Sequence, residues 1–421
     1  MSSLPSKNQP LPLLSIFNRY LELGGEEIAV EKINAALAQR PEWFDAQTLF
    51  FQSAEWRKDP MPPEWKQAIW MLRNPHSLLR LREAQASTQA RCWLVHNVFP
   101  VGSAAIYREA LTLRIPVIQY IHNFRPFSVS GYLWAGEALA TQGLKGRFWR
   151  EIAAAAWQHS RIKTASFALV LKTMRRLGWW DSVHVWVAVS DFMRERFIEA
   201  GVAPQTIFTL RHFHLPRPLP HAVAPGERYF LFLGRMITAK GIKVVLEAWR
   251  QLEERFGSNI PELRLAGDGP LSSWVAAEAA RYRKVRYLGR ISGEEKEAQL
   301  NGCIAVVVPS LWWEPLGLVV YEAFDFCKPV LAAASGGLSE LIIDSQTGRL
   351  HTPGNAAELA EQVMALDADP AGAAEMGRRG RGWLEANTRL DQWLEAFRAI
   401  TTFATDPAAI KPDAPLLRNL Q

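Results

Sequence analysis

Short apolar segments alternate with amphipathic helical segments along almost the whole chain, and this alternation limits the possible folds more than any other feature. Strands joined through helices pair in parallel, so the pattern predicts βαβ units in a doubly wound sheet. In the first half, strands are predicted at residues 13–17, 48–51, 92–96, 117–122, 185–189 and 207–211, and helices at 27–38, 103–113, 166–177 and 191–199.

A proline-rich stretch, LPRPLPHAVAPGE at residues 215–227, interrupts the alternation and is typical of a linker. After it, strands are predicted at 229–233, 263–266, 285–288, 304–308 and 330–333, and helices at 242–254, 271–281 and after Pro315. With 421 residues the chain is long enough for two cores. We therefore predict two Rossmann-like α/β domains, residues 1–218 and 219–421, that face a cleft. Ligands of such sheets bind beyond the carboxyl ends of the strands.

The segment LWWEPLGLVVYEAF, residues 311–324, contains two acids in unusual places. Pro315 suits the first position of a helix, because its missing N–H would have no partner there. Free N–H groups in that first turn could bind an anion, namely those of Gly317, Leu318 and Val319. Glu314 and Glu322 could then hold hydroxyl groups on either side of a bound phosphate. The structural alternative is an acid that favours the helix dipole together with a core glutamate bonded by backbone.

Two cations follow the first strand of the second half, in GRMITAKG at residues 234–241. Arg235 and Lys240 would lie at the carboxyl end of that strand, where they could neutralise a polyphosphate. Surface loops often carry such residues without a ligand. LAGDGPLSSW, residues 265–274, resembles a dinucleotide fingerprint but has Ser272 where the third glycine would stand, so a nicotinamide or flavin site is rejected.

The first half has weaker signals at its strand ends. Gly24 and Gly25, in LGGEE, would allow a ligand close to the backbone, or form a simple turn. His96 and His122 each end a strand, where a histidine can hold a substrate hydroxyl or cap the next loop. His122 is the better functional candidate, because Asn123 and a phenylalanine follow it.

Composition predicts neither a structural metal nor a disulfide framework. The three cysteines form no CxxC pair, and the HFH segment at residues 212–214 has no acidic partner nearby in the sequence. The net charge of +6 is unevenly distributed, because residues 143–180 hold eight Lys or Arg, one acid and four tryptophans. That segment suits an anionic membrane surface, or else it is a solvated basic face whose aromatic rings point into the core. Nucleic acid is disfavoured because no recognition motif accompanies the charge.

The N-terminal sequence MSSLPSKNQPLPLL lacks the layout of a signal peptide, and no apolar run approaches the roughly 20 residues that span a bilayer. A cytoplasmic location is expected.

Together these segments resemble the retaining glycosyltransferases of the GT-B fold, specifically glycosyltransferase family 4. In the first half the resemblance rests on GGEE (24–27), VHN (95–97), IHNFRP (121–126) and VAVSDFMRERFIEAG (187–201). In the second half it rests on FLGRMITAKG (232–241), LAGDGP (265–270), YLGRIS (287–292), VPSLWWEPLGLVVYEA (308–323) and ASGGLSELI (334–342). The pair of acids eight residues apart, Glu314 and Glu322, is the most specific element.

The resemblance implies a nucleotide-diphosphate sugar as donor and transfer that retains the anomeric configuration, without a metal or other cofactor. Arg235 and Lys240 match the diphosphate clamp, assisted by the backbone of 317–319. Glu322 matches the acid that binds ribose and Glu314 the acid that orients the sugar. Further implied contacts are Gly25 with a phosphate or the acceptor, His122 with the sugar, and Arg290 and Ile291 with the base.

The leading interpretation is a transferase for cell-surface polysaccharide or glycolipid at the cytoplasmic membrane face, with a carbohydrate or lipid-linked acceptor. One alternative is a soluble transferase that makes a small glycoside. Another is a non-catalytic nucleotide-sugar-binding partner, which the complete set of Arg235, Lys240, Glu314 and Glu322 disfavours. The loop at residues 126–137, PFSVSGYLWAGE, lacks the cysteines of many relatives and leaves the acceptor unassigned.

Overall fold

A computed structural model describes residues 9–21, 24–219, 228–406, 409 and 412. The chain divides into two compact units. The first comprises the described residues up to Gly136, Ala140–Phe213 and those from Leu390 onward, and the second comprises Glu137–Leu139 and His214–Arg389. The predicted division lies between residues 218 and 219. Most of the predicted linker, residues 220–227, lies outside the described residues.

The first unit contains a six-stranded parallel sheet. Its strands are β1 (Leu11–Arg19), β2 (Phe44–Gln52), β3 (Cys92–Val95), β4 (Val117–Ile121), β7 (Val183–Ala188) and β8 (Ile207–Thr209). The short strand β5 (Trp134–Ala135) lies outside this sheet, and the short strand β6 (Ala138–Leu139) belongs to the second unit. The helices of this part of the chain are α1 (Gly25–Ala38), α2 (Glu64–Leu72), α3 (Pro75–Thr88), α4 (Ala105–Leu113), α5 (Trp149–Ala153), α6 (Arg161–Arg176) and α7 (Asp191–Glu199).

The second unit contains another six-stranded parallel sheet. Its strands are β9 (Tyr229–Leu233), β10 (Glu262–Ala266), β11 (Val285–Gly289), β12 (Val306–Val308), β13 (Val330–Ala333) and β14 (Gly348–His351). Its helices are α8 (Ile242–Phe256), α9 (Ser272–Ala279), α10 (Gly293–Gly302), α11 (Leu318–Asp325), α12 (Leu338–Leu341), α13 (Ala356–Ala368) and α14 (Pro370–Asn387). The last helix, α15 (Leu390–Thr405), belongs to the first unit.

The strand orders are β2-β1-β3-β4-β7-β8 and β11-β10-β9-β12-β13-β14. In each sheet the chain builds outward in one direction and then returns to the first strand to build in the other. The direction reverses between β1 and β3 in the first sheet and between β9 and β12 in the second. Loops that follow the strands at such a reversal are where doubly wound sheets bind ligands. The predicted fold class is confirmed.

The central strands of both sheets are buried on both faces, as expected of parallel sheets that are covered by helices. Phe230 and Leu231 in β9 are 0% exposed, and α8 packs on them through Trp249, whose ring meets Phe230 edge-on. In the first unit, α15 covers part of the sheet with Trp393 and Phe397, both fully buried.

Candidate functional site

The reversal of the second sheet places two of the predicted loops beside each other. Strands β9 and β12 are hydrogen-bonded neighbours, so the loop with Lys240 and the loop with Glu314 emerge from adjacent strand ends. Gly241 holds them close: its φ is 74°, and a Cβ there would lie 1.8 Å from the carbonyl oxygen of Pro309. Only glycine accommodates both that backbone conformation and that contact.

Lys240 and Glu314 are in direct contact. The Lys240 Nζ lies 2.6 Å from Glu314 Oε1, and the same oxygen accepts hydrogen bonds from Ser310 Oγ at 2.6 Å and Trp312 Nε1 at 2.9 Å. The Glu314 carboxylate is buried, whereas the lysine side chain is 24% exposed. Three donors, one of them charged, make the burial of this carboxylate tolerable.

All three bonds fall on the same oxygen of Glu314. No partner within the described residues bonds the other oxygen, Oε2, which remains able to accept a hydroxyl hydrogen. The ammonium group of a lysine has three N–H donors, and one N–H of Lys240 donates to Glu314. The pair can therefore offer a cation to one group and a carboxylate oxygen to another.

The helix after Glu314 begins later than predicted. Helix α11 starts at Leu318, with Gly317 as its left-handed N-cap at φ 100°, so Pro315 is not the first helical residue. The chain first passes through a single parallel bridge between Glu314 and Gly336, which delays the helix. Leu318 and Val319 still lie in the first turn, where backbone N–H groups favour an anion.

Glu322 is not buried in an apolar environment, contrary to the impression given by its neighbours in sequence. Its side chain is 37% exposed and pairs with Lys296 of α10, with 2.8 Å between Nζ and Oε1. Leu318 and Glu322, four residues apart, share the half-exposed face of α11.

The remaining second-unit candidates lie on loops that follow neighbouring strands. Arg235 is exposed directly after β9. Arg290 is exposed and Ile291 is buried in the loop between β11 and α10. Bonds from Ser272 and the Gly269 N–H, and then the charge of Arg290, hold the pKa of Asp268 below its ordinary value.

In the first unit, His122 belongs to a cluster of aromatic side chains after β3 and β4. His122 Nε2 lies 2.9 Å from Nδ1 of His96, and the ring stacks on Tyr120 and on His212 at centroid distances of 5.0 and 5.3 Å. His122 Nδ1 and His96 Nε2 are buried without a hydrogen-bond partner among the described residues.

These histidines are neutral at physiological pH. Burial lowers the pKa of His96 and that of His212 to about 3, and burial together with the two neighbouring rings holds the pKa of His122 well below its usual value. His122 is therefore suited to exchange hydrogen bonds with a hydroxyl, not to supply a positive charge.

Gly24 and Gly25 lie at the beginning of α1, which follows β1. Gly24 is the N-cap, in an extended conformation with φ −130°, and no described atom lies within 4 Å of where its Cβ would be. Gly25 is the first residue of the helix and is exposed. The backbone there is open to a ligand.

An acid beside these glycines was not predicted from the sequence. Glu26 Oε2 accepts hydrogen bonds from the Tyr20 hydroxyl at 2.9 Å and from Asn123 Nδ2 at 2.6 Å. Glu26 and Asn123 line a small pocket within the first unit, together with His96, His122 and Arg125. Burial raises the pKa of Glu26 to about 7, although both hydrogen bonds and the Arg125 charge oppose the rise. Its position one residue after Gly25 was the available signal.

Within the described residues, no group of three or more His, Cys, Asp or Glu side chains is arranged to bind a metal ion. In the structure His214 has an acidic neighbour from a distant segment, because its Nε2 lies 3.1 Å from Asp325 Oδ2. That acid is more than a hundred residues away in sequence, so local inspection could not reveal it.

Comparison with known proteins finds sequence similarity over much of the second unit. Residues 220–383 match the family model described as "Glycosyl transferases group 1". Over 159 residues the chain is 32% identical to the glycogen synthase of Mycobacterium tuberculosis, a match that covers 37% of this chain and 38% of the relative. The alignment therefore spans less than half the length of that relative.

Structural similarity extends over nearly the whole chain. The sucrose-phosphate synthase of Thermosynechococcus elongatus aligns with a TM-score of 0.68 and 20% identity, covering 94% of this chain and 100% of that one. Anabaena Alr3699/HepE, in complex with UDP-glucose, aligns with a TM-score of 0.65 and 18% identity over 93% and 99% of the two chains. Together with the two parallel sheets, these neighbours show the GT-B fold.

Proposed function

We propose that this chain, whose residues 220–383 match the group 1 glycosyl transferases, moves a sugar from a nucleoside-diphosphate sugar to an acceptor hydroxyl. The observation that carries the proposal is the contact of Lys240 with the buried Glu314 at the reversal of the second sheet. A donor of this kind has an anionic diphosphate next to a neutral sugar. A cation joined to a carboxylate with one open oxygen suits that junction.

The second unit would hold the donor. The diphosphate would take the remaining N–H groups of Lys240, the guanidinium of Arg235 and the first-turn N–H groups of Leu318 and Val319. Glu314 Oε2 would accept a hydroxyl of the donor sugar, and Glu322 would exchange Lys296 for the ribose hydroxyls. That exchange is feasible because the Glu322–Lys296 pair is partly exposed and therefore weak. The base would lie against Arg290 and Ile291.

Transfer breaks the bond between the anomeric carbon and the diphosphate oxygen and forms one to the acceptor oxygen. The acceptor's proton passes to the departing phosphate oxygen, and the anomeric configuration is retained. Negative charge grows on the leaving diphosphate, where Lys240, Arg235 and the N–H groups stabilise it, so the step needs no metal. This division of roles corresponds to family 4. HepE, the fold neighbour in complex with UDP-glucose, supports a nucleotide sugar as donor.

The first unit would supply the acceptor side. Neutral His122 and the half-buried Glu26 offer hydrogen bonds to hydroxyl groups without a full charge. Gly24 and Gly25 leave the backbone accessible beside them. We assign the acceptor to cell-surface polysaccharide or glycolipid assembly, with the enzyme on the inner face of the membrane, because a basic surface with exposed tryptophan lies on this unit.

Hydrolysis of the donor by Lys240→Ala tests the proposal. A panel of nucleoside-diphosphate sugars is first screened for the one that raises the melting midpoint most, since a bound donor stabilises the folded chain. With that sugar, Lys240→Ala should hydrolyse the donor about 10²–10³-fold more slowly than the native protein. Lys243→Ala is the matched control, because Lys243 is an exposed residue three positions later that pairs with Glu137.

Equal rates for Lys240→Ala and the native protein would overturn the diphosphate assignment. Melting of each variant without donor separates loss of catalysis from loss of the fold. If no sugar of the panel shifts the midpoint and none is hydrolysed, the donor class itself is rejected.

A further inference from the structure

Three neighbouring helices of the first unit expose large apolar side chains. Trp65 is 67% exposed and Ile162 is 80% exposed. Ile69, Trp149 and Leu169 on these helices are also more than half exposed, as is Met61, three residues before α2. Scattered single exposures are normal, whereas a contiguous apolar patch on a soluble protein usually marks an interaction site.

These side chains belong to one surface. Helix α6 packs against both α2 and α5, and an ion pair between Lys163 and Glu64, 2.7 Å long, joins α6 to α2. Trp65 and Ile69 are four residues apart on α2, and Ile162 and Leu169 are seven apart on α6, so each pair lies on one face of its helix. We call the outward faces of α2, α5 and α6 the α2–α6 surface.

The α2–α6 surface is positively charged. Its exposed cations are Arg150, Arg161, Lys172 and Arg176. The three helices contain only two acids. Glu64 pairs with Lys163, and Glu151 is buried, where it accepts bonds from Ser128 Oγ at 2.8 Å and the Ser130 N–H at 2.9 Å. Neither acid offsets the exposed cations.

The tryptophans of residues 143–180 divide between the two interpretations of that segment. Trp149 is exposed, whereas Trp179 is buried and Trp157 packs under the guanidinium of Arg125. The exposed apolar area that they would have supplied comes instead from α2, through Trp65 and Ile69. This contribution is not apparent from residues 143–180 alone.

We infer that the α2–α6 surface binds an anionic lipid bilayer. Its cations attract the charged headgroups, and its tryptophans and branched aliphatic side chains enter the headgroup region, the arrangement of an interfacial amphipathic surface. None of the helices in the described part of the chain is long and apolar enough to cross a membrane. This binding would provide the membrane contact that the proposed function assigns to the enzyme. The binding itself requires neither donor nor acceptor.

Vesicle sedimentation tests the inference with the full chain. The protein should sediment with vesicles of mixed phosphatidylglycerol and phosphatidylcholine at low salt. It should remain in solution with phosphatidylcholine alone, and should be released at about 0.5 M salt, where charges are screened beyond about 4 Å. Bound protein should also show a blue shift of tryptophan emission.

A double variant, Trp65→Ser with Ile162→Ser, should weaken partitioning into anionic vesicles about tenfold or more. The matched control is Phe256→Ser with Ile343→Ser, two exposed apolar residues of the second unit, which should partition as the native protein does. A charge variant, Arg161→Glu with Lys172→Glu, should lose binding at low salt, whereas Arg378→Glu on α14 should not. All substituted residues are exposed, and melting midpoints verify that the variants fold.

Three results would overturn the inference: no binding to anionic vesicles, equal binding to neutral ones, or equal losses in the control variants. If the native protein binds an acidic protein but not anionic vesicles, the surface is assigned to a protein partner. If the native protein does not bind anionic vesicles but its melting midpoint still rises with donor, only this inference is rejected. If it binds the vesicles but no donor raises its melting midpoint, only the proposed function is rejected.

Discussion

The loops that follow β9 and β12 in the second unit hold charged side chains in direct contact, whereas those that follow β1, β3 and β4 in the first unit hold groups that are mostly neutral. Both sets occupy the carboxyl ends of a six-stranded parallel sheet. Lys240 with Glu314 represents the first kind. His96 and His122, with lowered pKa values, represent the second.

The difference shows that one architecture supports opposite electrostatics. In the second unit, donors converge on the buried carboxylates of Glu314 and Asp325. Burial alone would raise the pKa of Asp325, but hydrogen bonds from His214 and Arg217 hold it below its ordinary value. In the first unit, desolvation exceeds the available hydrogen bonds, so Glu26 and the histidines tend toward their neutral forms. Unfolding and pH therefore ought to act on the two units in different ways, which the following variants test.

The largest effect is expected from a buried ion pair of the second unit. Arg381 Nη1 lies 2.9 Å from Oδ1 of Asp325, the last residue of α11, and both side chains are at most 7% exposed. Arg381→Ala leaves that carboxylate short of a partner and should lower the free energy of unfolding by about 3–5 kcal/mol, measured by urea denaturation.

Arg378→Ala is the control for Arg381, because it removes an exposed pair with Glu375 on the same helix. Arg378→Ala should lower the free energy of unfolding by less than about 1 kcal/mol. If both variants lose the same stability, the second unit does not depend on buried charge and the contrast between the units fails.

A smaller effect of opposite sign is expected at Glu26. Burial raises its pKa from 4.5 to about 7, so the stability contributed by its protonated form is complete below pH 4.5 and is lost as the pH rises to about 7. Glu26→Gln removes that loss. At pH 8 the variant should exceed the native protein in unfolding free energy by on the order of 1–3 kcal/mol, and near pH 4.5 the two should agree.

Denaturant unfolding across this pH range checks the prediction for Glu26. Glu31→Gln, at an exposed position of the same helix, should leave the pH profile unchanged. A parallel offset of the Glu26→Gln profile at all pH values would mean that Glu26 is not titrating in this window.

The smallest change in stability is expected at Gly24, which lacks the constraint that Gly241 obeys. Its extended backbone suits any residue and its surroundings are open among the described atoms, so Gly24→Ala should alter the unfolding free energy by less than about 1 kcal/mol. If a ligand approaches this backbone, donor hydrolysis should fall nonetheless. Melting midpoints and donor hydrolysis rates of the variant and the native protein are compared. An unchanged hydrolysis rate would mean that Gly24 does not contact the ligand.

Periodicity predicted the strands of both sheets apart from β14, because strand patterns are local. The predicted helices were α1, α4, α6–α9 and α11, whereas α2, α3, α5, α10 and α12–α15 were missed. Before α2 and α3, prolines at residues 60, 62 and 63 and Pro75 resemble a loop. In the structure Pro75 occupies the first turn of α3, with Asn74 accepting a hydrogen bond from the His76 N–H at 3.1 Å as the cap. A proline can begin a helix as readily as it ends one.

The donor-side candidates were accessible from sequence because the acids and cations lie within short motifs on adjacent strand ends. The first-unit pocket was not, because its contacts join distant segments: Glu26 and Asn123 are 97 residues apart. The sequence could not show which oxygen of Glu314 accepts the hydrogen bonds, or that Lys296 pairs with Glu322. Both contacts depend on how distant segments pack, which the spacing of residues in a motif does not determine.

Helix α15 has a consequence for how the chain is made. Trp393 lies against Tyr120 and Phe213, and Phe397 packs against Phe44, so part of the first unit's core comes from residues that follow the second unit along the chain. On the ribosome, every residue of the second unit emerges before Leu390 does. The amino-terminal sheet therefore keeps aromatic surface uncovered until α15 has been synthesised, and a nascent chain that stalls before α15 would present that surface to chaperones or to aggregation.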